Sequence, residues 1–291
     1  MIEFHSPRVR LRACLLILTL IAALPAGLAA QQTAREAFHT DVQAFFEDGG
    51  RLLTAPARFD EYDWLMTGLA LGATAAAYTI DDDLRASTRT MPIERWEIPL
   101  AVGEKYGSGL VSGGVGLGLI LAGALTDDDE TRITGRMVLQ SLVYSVTITQ
   151  LLKVVIGRAR PFLDNGKDAF HPMRIDDAFH SFPSGHVTAA FALSATLSRR
   201  FDSVPLSIAL YALATLTAAE RIASDRHWLS DAVLGAVIGG VVGCAVVRFE
   251  EERAREEEVH RGPDASVPHF SEDERTPFAR HRPLLQWNIA F

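Results

Sequence analysis

The chain is short of the residues that several kinds of chemistry require. Of its 291 residues only two are cysteine, Cys14 near the N-terminus and Cys244 inside an apolar run. That count argues against a disulfide framework and against a thiolate metal site. Positive charge is also in deficit, with 28 Lys and Arg against 36 Asp and Glu and a formal net charge of -8. A nucleic-acid partner needs a basic surface to meet its phosphate backbone, so that class is set aside. Long apolar runs are few. Hydrophobic residues make up 48% of the chain and the mean hydropathy is +0.13. Only the stretches 137–156 and 228–247 reach the ~20 residues of a bilayer crossing.

What is present begins with Arg8, Arg10 and Arg12 ahead of the apolar run 13–24, followed by Pro25, Ala26, Gly27, Ala29 and Ala30. Residues 1–30 therefore read as a signal peptide cut after Ala29 or Ala30, or as an uncleaved anchor. Cys14 lies too early in that segment for a lipid-attachment cysteine. Residues 31–63 form a polar lead-in where Phe38, Val42, Phe45 and Phe46 have the spacing of an amphipathic helix. Six stretches rich in Ala, Gly and Leu follow, at 64–80, 110–125, 137–156, 187–197, 204–219 and 228–247. Their length and their Asp-rich or Arg-rich boundaries predict an all-α, six-helix bundle embedded in a membrane, with the domain at 64–248. Gly113, Gly114, Gly116 and Gly118, and later Gly235, Gly239, Gly240 and Gly243, cost stability in a solvated helix but let helices approach closely in a bundle. Residues 249–291 read as a solvated, charged helical extension and a tail, whose alternating Leu285, Trp287, Ile289 and Phe291 suggest a short strand. The runs Asp81 to Asp83 and Asp127 to Asp129 read as turn and helix-capping carboxylates rather than a metal site.

Three short clusters fall at one end of such a bundle. Lys153 and Arg160 are seven apart, share a helix face while the helix continues, and are followed by Pro161, which stops it. Ser184, Gly185 and His186 open the fourth helix, where free first-turn amides, a hydroxyl and a small residue form a natural anion cradle. Arg221 adds a cation ahead of His227 and Asp231. Those two are four apart, so the carboxylate can hold one imidazole nitrogen and leave the other to attack. His171 and His180 lie in the loop between the first two clusters and either shape the entrance or have no role.

Lys153, six residues, Arg160-Pro161; Pro183-Ser184-Gly185-His186; and Arg221, five residues, His227, three residues, Asp231 resemble the type 2 phosphatidic acid phosphatase family, motif by motif and in the same order. The resemblance covers Lys153 to Asp231. It implies that His227 is the nucleophile that takes up the phosphoryl group, that Asp231 fixes its tautomer, and that His186 protonates the leaving oxygen. It also implies that Lys153, Arg160, Ser184, Gly185 and Arg221 hold the phosphate oxygens, with no metal and no other cofactor. Where the family has Ser before the third-motif Arg, this chain has Glu220, which either opposes the phosphate or points away and orients Arg221. The implied substrate is a lipid phosphate or diphosphate, such as phosphatidic acid, an isoprenyl diphosphate or a lipid A phosphate, met at a membrane. A soluble periplasmic acid phosphatase of the same superfamily stands as the alternative, and behind it a vanadium haloperoxidase, whose site has the same architecture.

The membrane topology contains a conflict. A cleaved signal followed by six spans puts the motifs on the cytoplasmic side, whereas the family implies a site facing the periplasm. Arg132, Arg136, Arg199, Arg200, Arg248, Arg253 and Arg255 fall at the end opposite the motifs, as the positive-inside rule asks for a periplasmic site, but Arg85, Arg89 and Arg95 fall at the motif end.

Overall fold

The computed structural model describes residues 35–261, and among them the regular structure is helical, with one isolated antiparallel bridge between Arg158 and Phe170. The expected signal segment 1–30 and the alternating tail 285–291 lie outside the described residues. The chain divides into two compact units, 1–47 and 48–291. Helix α1 covers residues 35–54. It is followed by α2 (Glu61–Thr79), α3 (Asp81–Arg89), α4 (Glu97–Tyr106), α5 (Gly109–Thr126), α6 (Asp129–Ile156), α7 (Gly185–Phe201), α8 (Val204–Ala223) and α9 (Leu229–Arg261).

Nine α-helices among the described residues replace the six expected. The six apolar stretches became α2 and α5 to α9. The sequence hid α3 and α4 because both are short and α3 is mostly polar, so neither carries a long apolar stretch. Four helices, α5, α6, α8 and α9, are long and apolar enough to cross a membrane, whereas six membrane-embedded helices had been expected and only two of the sequence stretches reached that length. Helix α6 starts eight residues before its apolar stretch because Asp128 caps it, accepting from the Glu130 and Thr131 amides at 3.1 and 3.3 Å. This is the capping role expected of the 127–129 run.

Helix α9 runs without a break through residue 248 to Arg261. Glu250, Glu251 and Glu252, expected to be solvated, instead meet arginines of other helices, whereas residues 254–260 are exposed as expected. Arg136 pairs with Glu250, Arg199 with Glu251 at 2.9 Å, and Arg51 with Glu252. Nearby, the buried Asp48 accepts from Arg253 at 2.7 Å and from Gln140 at 3.1 Å.

The closest helix contact positions the site. Gly235, Gly239 and Gly243 form an i, i+4, i+8 stripe on α9, against which the backbone of α7 lies. A Cβ on Gly239 would stand 2.2 Å from the Thr188 carbonyl oxygen, and one on Gly235 would stand 2.7 Å from that of Ser184. Gly116 of α5 is equally confined, its Cβ falling 2.7 Å from Leu139. Gly114, Gly118 and Gly240 have open space instead, so close packing does not account for them.

Candidate active site

Helix α6 ends at Ile156 because Gly157, at φ +60, turns the chain into the left-handed region. A Cβ there would meet the His171 carbonyl oxygen at 1.9 Å, so only glycine fits. The helix therefore stops before Arg160, not at Pro161, and Lys153 and Arg160 do not share a helical face. Lys153 sits buried on the last turn and donates from Nζ to the His180 carbonyl at 2.5 Å. Arg160 sits on the following strap, where its amide donates to the Ala178 carbonyl at 2.9 Å. Its guanidinium donates to the carbonyl and carboxylate of Asp177 at 2.9 and 2.8 Å. A chain reversal, not helical periodicity, gathers the two cations.

Ser184 stands at the N-cap of α7 but makes no side-chain cap bond. Its backbone N–H donates to the Asp231 carbonyl at 2.9 Å, and its own carbonyl accepts from Thr188 N at 2.9 Å. Thr188 is thus the first residue in the helical ladder, and the amides of Gly185, His186 and Val187 precede it. The Ser184 hydroxyl is buried and has no hydrogen-bond partner among the described residues. Gly185 lies beside Lys153, whose Cε would be 3.8 Å from an added Cβ.

His227 follows the turn that ends α8 and is 3% exposed. Its Nδ1 is 2.7 Å from the Ser181 carbonyl oxygen and 3.5 Å from Asp231 Oδ2. Both neighbours are acceptors, so the proton resides on Nδ1 and the Nε2 lone pair is left available. The orienting partner is therefore first a backbone carbonyl and only second the expected carboxylate. Asp231 receives closer bonds from Arg158 Nη1 at 2.6 Å, Ser181 Oγ at 2.5 Å and the Trp228 amide at 2.8 Å. It reaches His227 directly at 3.5 Å and also through Ser181, whose hydroxyl it accepts from and whose carbonyl faces Nδ1. Burial pushes the His227 imidazole down to about 4, against the pull of the Asp231 carboxylate, with Lys153 and Arg160 adding to the fall. His186 is also pushed down to about 4, by burial first and then by Arg221, Lys153 and Arg160, with Glu104 opposing. All three expected cations thus act through space on His186, and Lys153 and Arg160 on His227 as well.

Arg221 is oriented by Glu220, whose carboxylate accepts from its Nε, and lies 3.5 Å from Glu104. Of the two sequence alternatives for Glu220, the geometry is that of orientation. His180 contributes its carbonyl to Lys153, while its Nε2 lies 2.8 Å from the Arg174 carbonyl. His171 packs edge-on against Phe179, with ring centroids 4.7 Å apart.

Sequence reasoning missed Arg158, Asp81, Ser181 and Ser230. Arg158 is fully buried and donates to the Lys167 carbonyl at 3.0 Å, Ser230 Oγ at 2.8 Å, Asp231 at 2.6 Å and Asp81 at 2.8 Å. Asp81 is no surface cap: it is 1% exposed and accepts from Arg158 and from the amide and hydroxyl of Ser230. Arg158 is fixed by a partner 77 residues away, and no local pattern announces such a pair. The hydroxyl next to Asp231 in the sequence was the one available hint of Ser230.

Residues 135–255 match the PAP2 superfamily. Curated relatives include the lipid A 1-phosphatase of Rhizobium etli, 36% identical over 108 residues, which are 36% of this chain and 46% of that protein. The lipid A 1-phosphatase of Porphyromonas gingivalis is 40% identical over 81 residues, 27% of this chain and 18% of that protein. The chain thus spans less than half the length of these curated relatives. Among solved structures, the crystal structure of Aquifex aeolicus LpxE aligns with a TM-score of 0.43 at 20% identity, covering 57% of this chain and 93% of that one. The match at 135–255 encloses all three motif clusters, Lys153 to Asp231.

Proposed function

We propose that the chain is a metal-independent membrane phosphatase that removes phosphate from a lipid head group through a phosphohistidine on His227. The observation that carries this reading is the buried, unpartnered Ser184 hydroxyl beside the first-turn amides of α7. A buried hydroxyl without a partner costs ~1–3 kcal/mol, and a phosphate oxygen supplies the missing acceptor. The His227 Nε2 lone pair attacks phosphorus as the bond from phosphorus to the leaving oxygen breaks, and His186 passes its proton to that oxygen. Water then attacks phosphorus, the P–N bond breaks, His186 takes up the water proton, and inorganic phosphate leaves. Lys153, Arg160 and Arg221 offset the charge that builds on the equatorial oxygens.

The curated relatives' name, lipid A 1-phosphatase, makes a phosphate ester on a glycolipid the substrate class to try first. Four helices fit to cross a membrane support a lipid substrate over the soluble alternative. We further infer a site facing the periplasm. Asp48 and the start of α2 lie at the end of the bundle away from His227, since Asp48 meets Gln140 and Arg253. Residues 48–61 are then cytoplasmic. Arg136, Arg199 and Arg253 at that end support this orientation and Arg85 and Arg89 at the motif end oppose it, because the positive-inside rule counts cations whether or not they are ion-paired.

The test is phosphate release by the purified protein from lipid phosphates, lipid diphosphates and water-soluble esters, with and without EDTA. Release from a lipid phosphate that persists in EDTA is expected. Hydrolysis of soluble esters alone, or loss of all activity in EDTA, would contradict the reading.

A further inference from the structure

Helix α3 is polar and short, yet one face of it grips the turn that carries His227. Asp81, Arg85 and Arg89 recur every four residues and so lie on that face. Asp81 holds Ser230, three residues after His227, through its amide at 2.9 Å and hydroxyl at 2.7 Å, and it also holds Arg158 at 2.8 Å. Arg85 forks onto Asp225, two residues before His227, with Nε and Nη2 each 2.8 Å from a carboxylate oxygen. The same guanidinium donates to the Pro161 carbonyl and, at 2.7 Å, to Asp164, so it also fixes the strap next to Arg160. Arg89 meets Asp225 and Asp164 at 2.8 and 3.1 Å. Asp225 is held in the left-handed region at φ +58, where aspartate is tolerated but not favoured. On the other side of α3, Asp82 and Asp83 are exposed.

We propose that α3 is a positioning helix for the nucleophile, with Asp81 and Arg85 clamping the turn 225–230 from both sides so that His227 Nε2 is held towards the phosphate. This rests on the reading of His227 as nucleophile. Neither residue touches a reacting atom: Asp81 acts through Ser230 and Arg158, Arg85 through Asp225. A bidentate arginine fork fixes both distance and plane, which a lysine cannot do, and a small misplacement of a reacting group lowers rate far more than binding.

The experiment is a double-mutant cycle on kcat and KM with Arg85→Gln, Asp225→Asn and their combination, alongside Asp81→Asn and the exposed Asp83→Asn. Each single change at Arg85, Asp225 or Asp81 is expected to lower kcat roughly 10- to 100-fold with KM within about threefold. Asp83→Asn is expected to match the parent. The double variant is expected to lose less than the product of its singles, because both act through one contact. Arg85→Lys is expected to recover part of the rate, and it serves as the informative variant where a charge-removing change unfolds the protein. Unchanged kcat, a loss confined to KM, or singles that multiply fully would overturn the inference. The 15N spectrum of the His227 ring gives a readout that needs no turnover: one Nδ1–H tautomer in the parent and a mixture in Arg85→Gln are expected. An inactive parent would sink the functional reading alone, whereas an active parent with an unaltered Arg85→Gln tautomer would sink the role of α3.

Discussion

The two sides of His227 handle polar groups in opposite ways. Behind it, charges are matched: Arg158 meets Asp231 and Asp81 in full burial, and Arg85 meets the part-buried Asp225 and the exposed Asp164. On the side built from the three motif clusters, matching is incomplete. Lys153 donates to a carbonyl, Ser184 Oγ has no partner among the described residues, and both histidines are held neutral well below their ordinary range. A matched buried network stabilises an arrangement, whereas an unmatched one is unfavourable until an anion arrives. The rear thus fixes geometry and the front retains binding capacity, so changes on the two sides should separate stability from rate.

The strongest way to break that contrast is Arg158→Met. Removing it leaves Asp81 and Asp231 as buried carboxylates without their shared partner, which is expected to cost ~3–5 kcal/mol of stability together with activity. Thermal unfolding in detergent measures it, and a melting temperature equal to the parent's would contradict the network's role. Next in size is Ser184→Ala on the front. It is expected to lower kcat/KM about 10- to 100-fold while leaving the melting temperature unchanged or slightly raised, because no protein bond is lost. A clear loss of stability without loss of rate would reverse the contrast.

The pH dependence sharpens the front further. His186 must carry a proton to act as an acid, so activity falls as pH rises through its pKa. That value is about 4 in the free protein, depressed by burial, Arg221, Lys153 and Arg160. A bound phosphate dianion offsets those cations and favours the imidazolium. The descending limb of kcat, which reports the complex, is therefore expected at higher pH than that of kcat/KM. Coincident limbs would remove His186 from the acid role. The smallest effect is expected far from both sides: Arg199→Gln breaks a half-exposed pair with Glu251, which is expected to change stability by ~0–1 kcal/mol and the kinetics not at all.

What could be read from the sequence divides along the same line. The front consists of residues close in sequence to one another, Lys153 with Arg160, Ser184 with His186, and Arg221 with Asp231, so spacing reveals them. Even there, the means of assembly differs from the spacing argument, since Gly157 ends α6 and a loop returns Arg160. The rear joins residues far apart, Asp81 with Arg158 and Arg85 with Asp225, through a helix whose polar composition reads as a turn. The Ser181 carbonyl that orients His227 is backbone, and no side chain advertises it. The bundle itself was legible from its apolar stretches, while α3 and α4, which carry no such stretch, were not.

The central claim is that His227 becomes covalently phosphorylated. Rapid-quench reaction of the purified protein with a 32P-labelled lipid phosphate, followed by peptide mapping, tests it most directly. The account predicts transient acid-labile, base-stable label on the peptide carrying His227, absent from His227→Ala, which folds but releases no phosphate. Label on another residue, or undiminished phosphate release by His227→Ala, would contradict it.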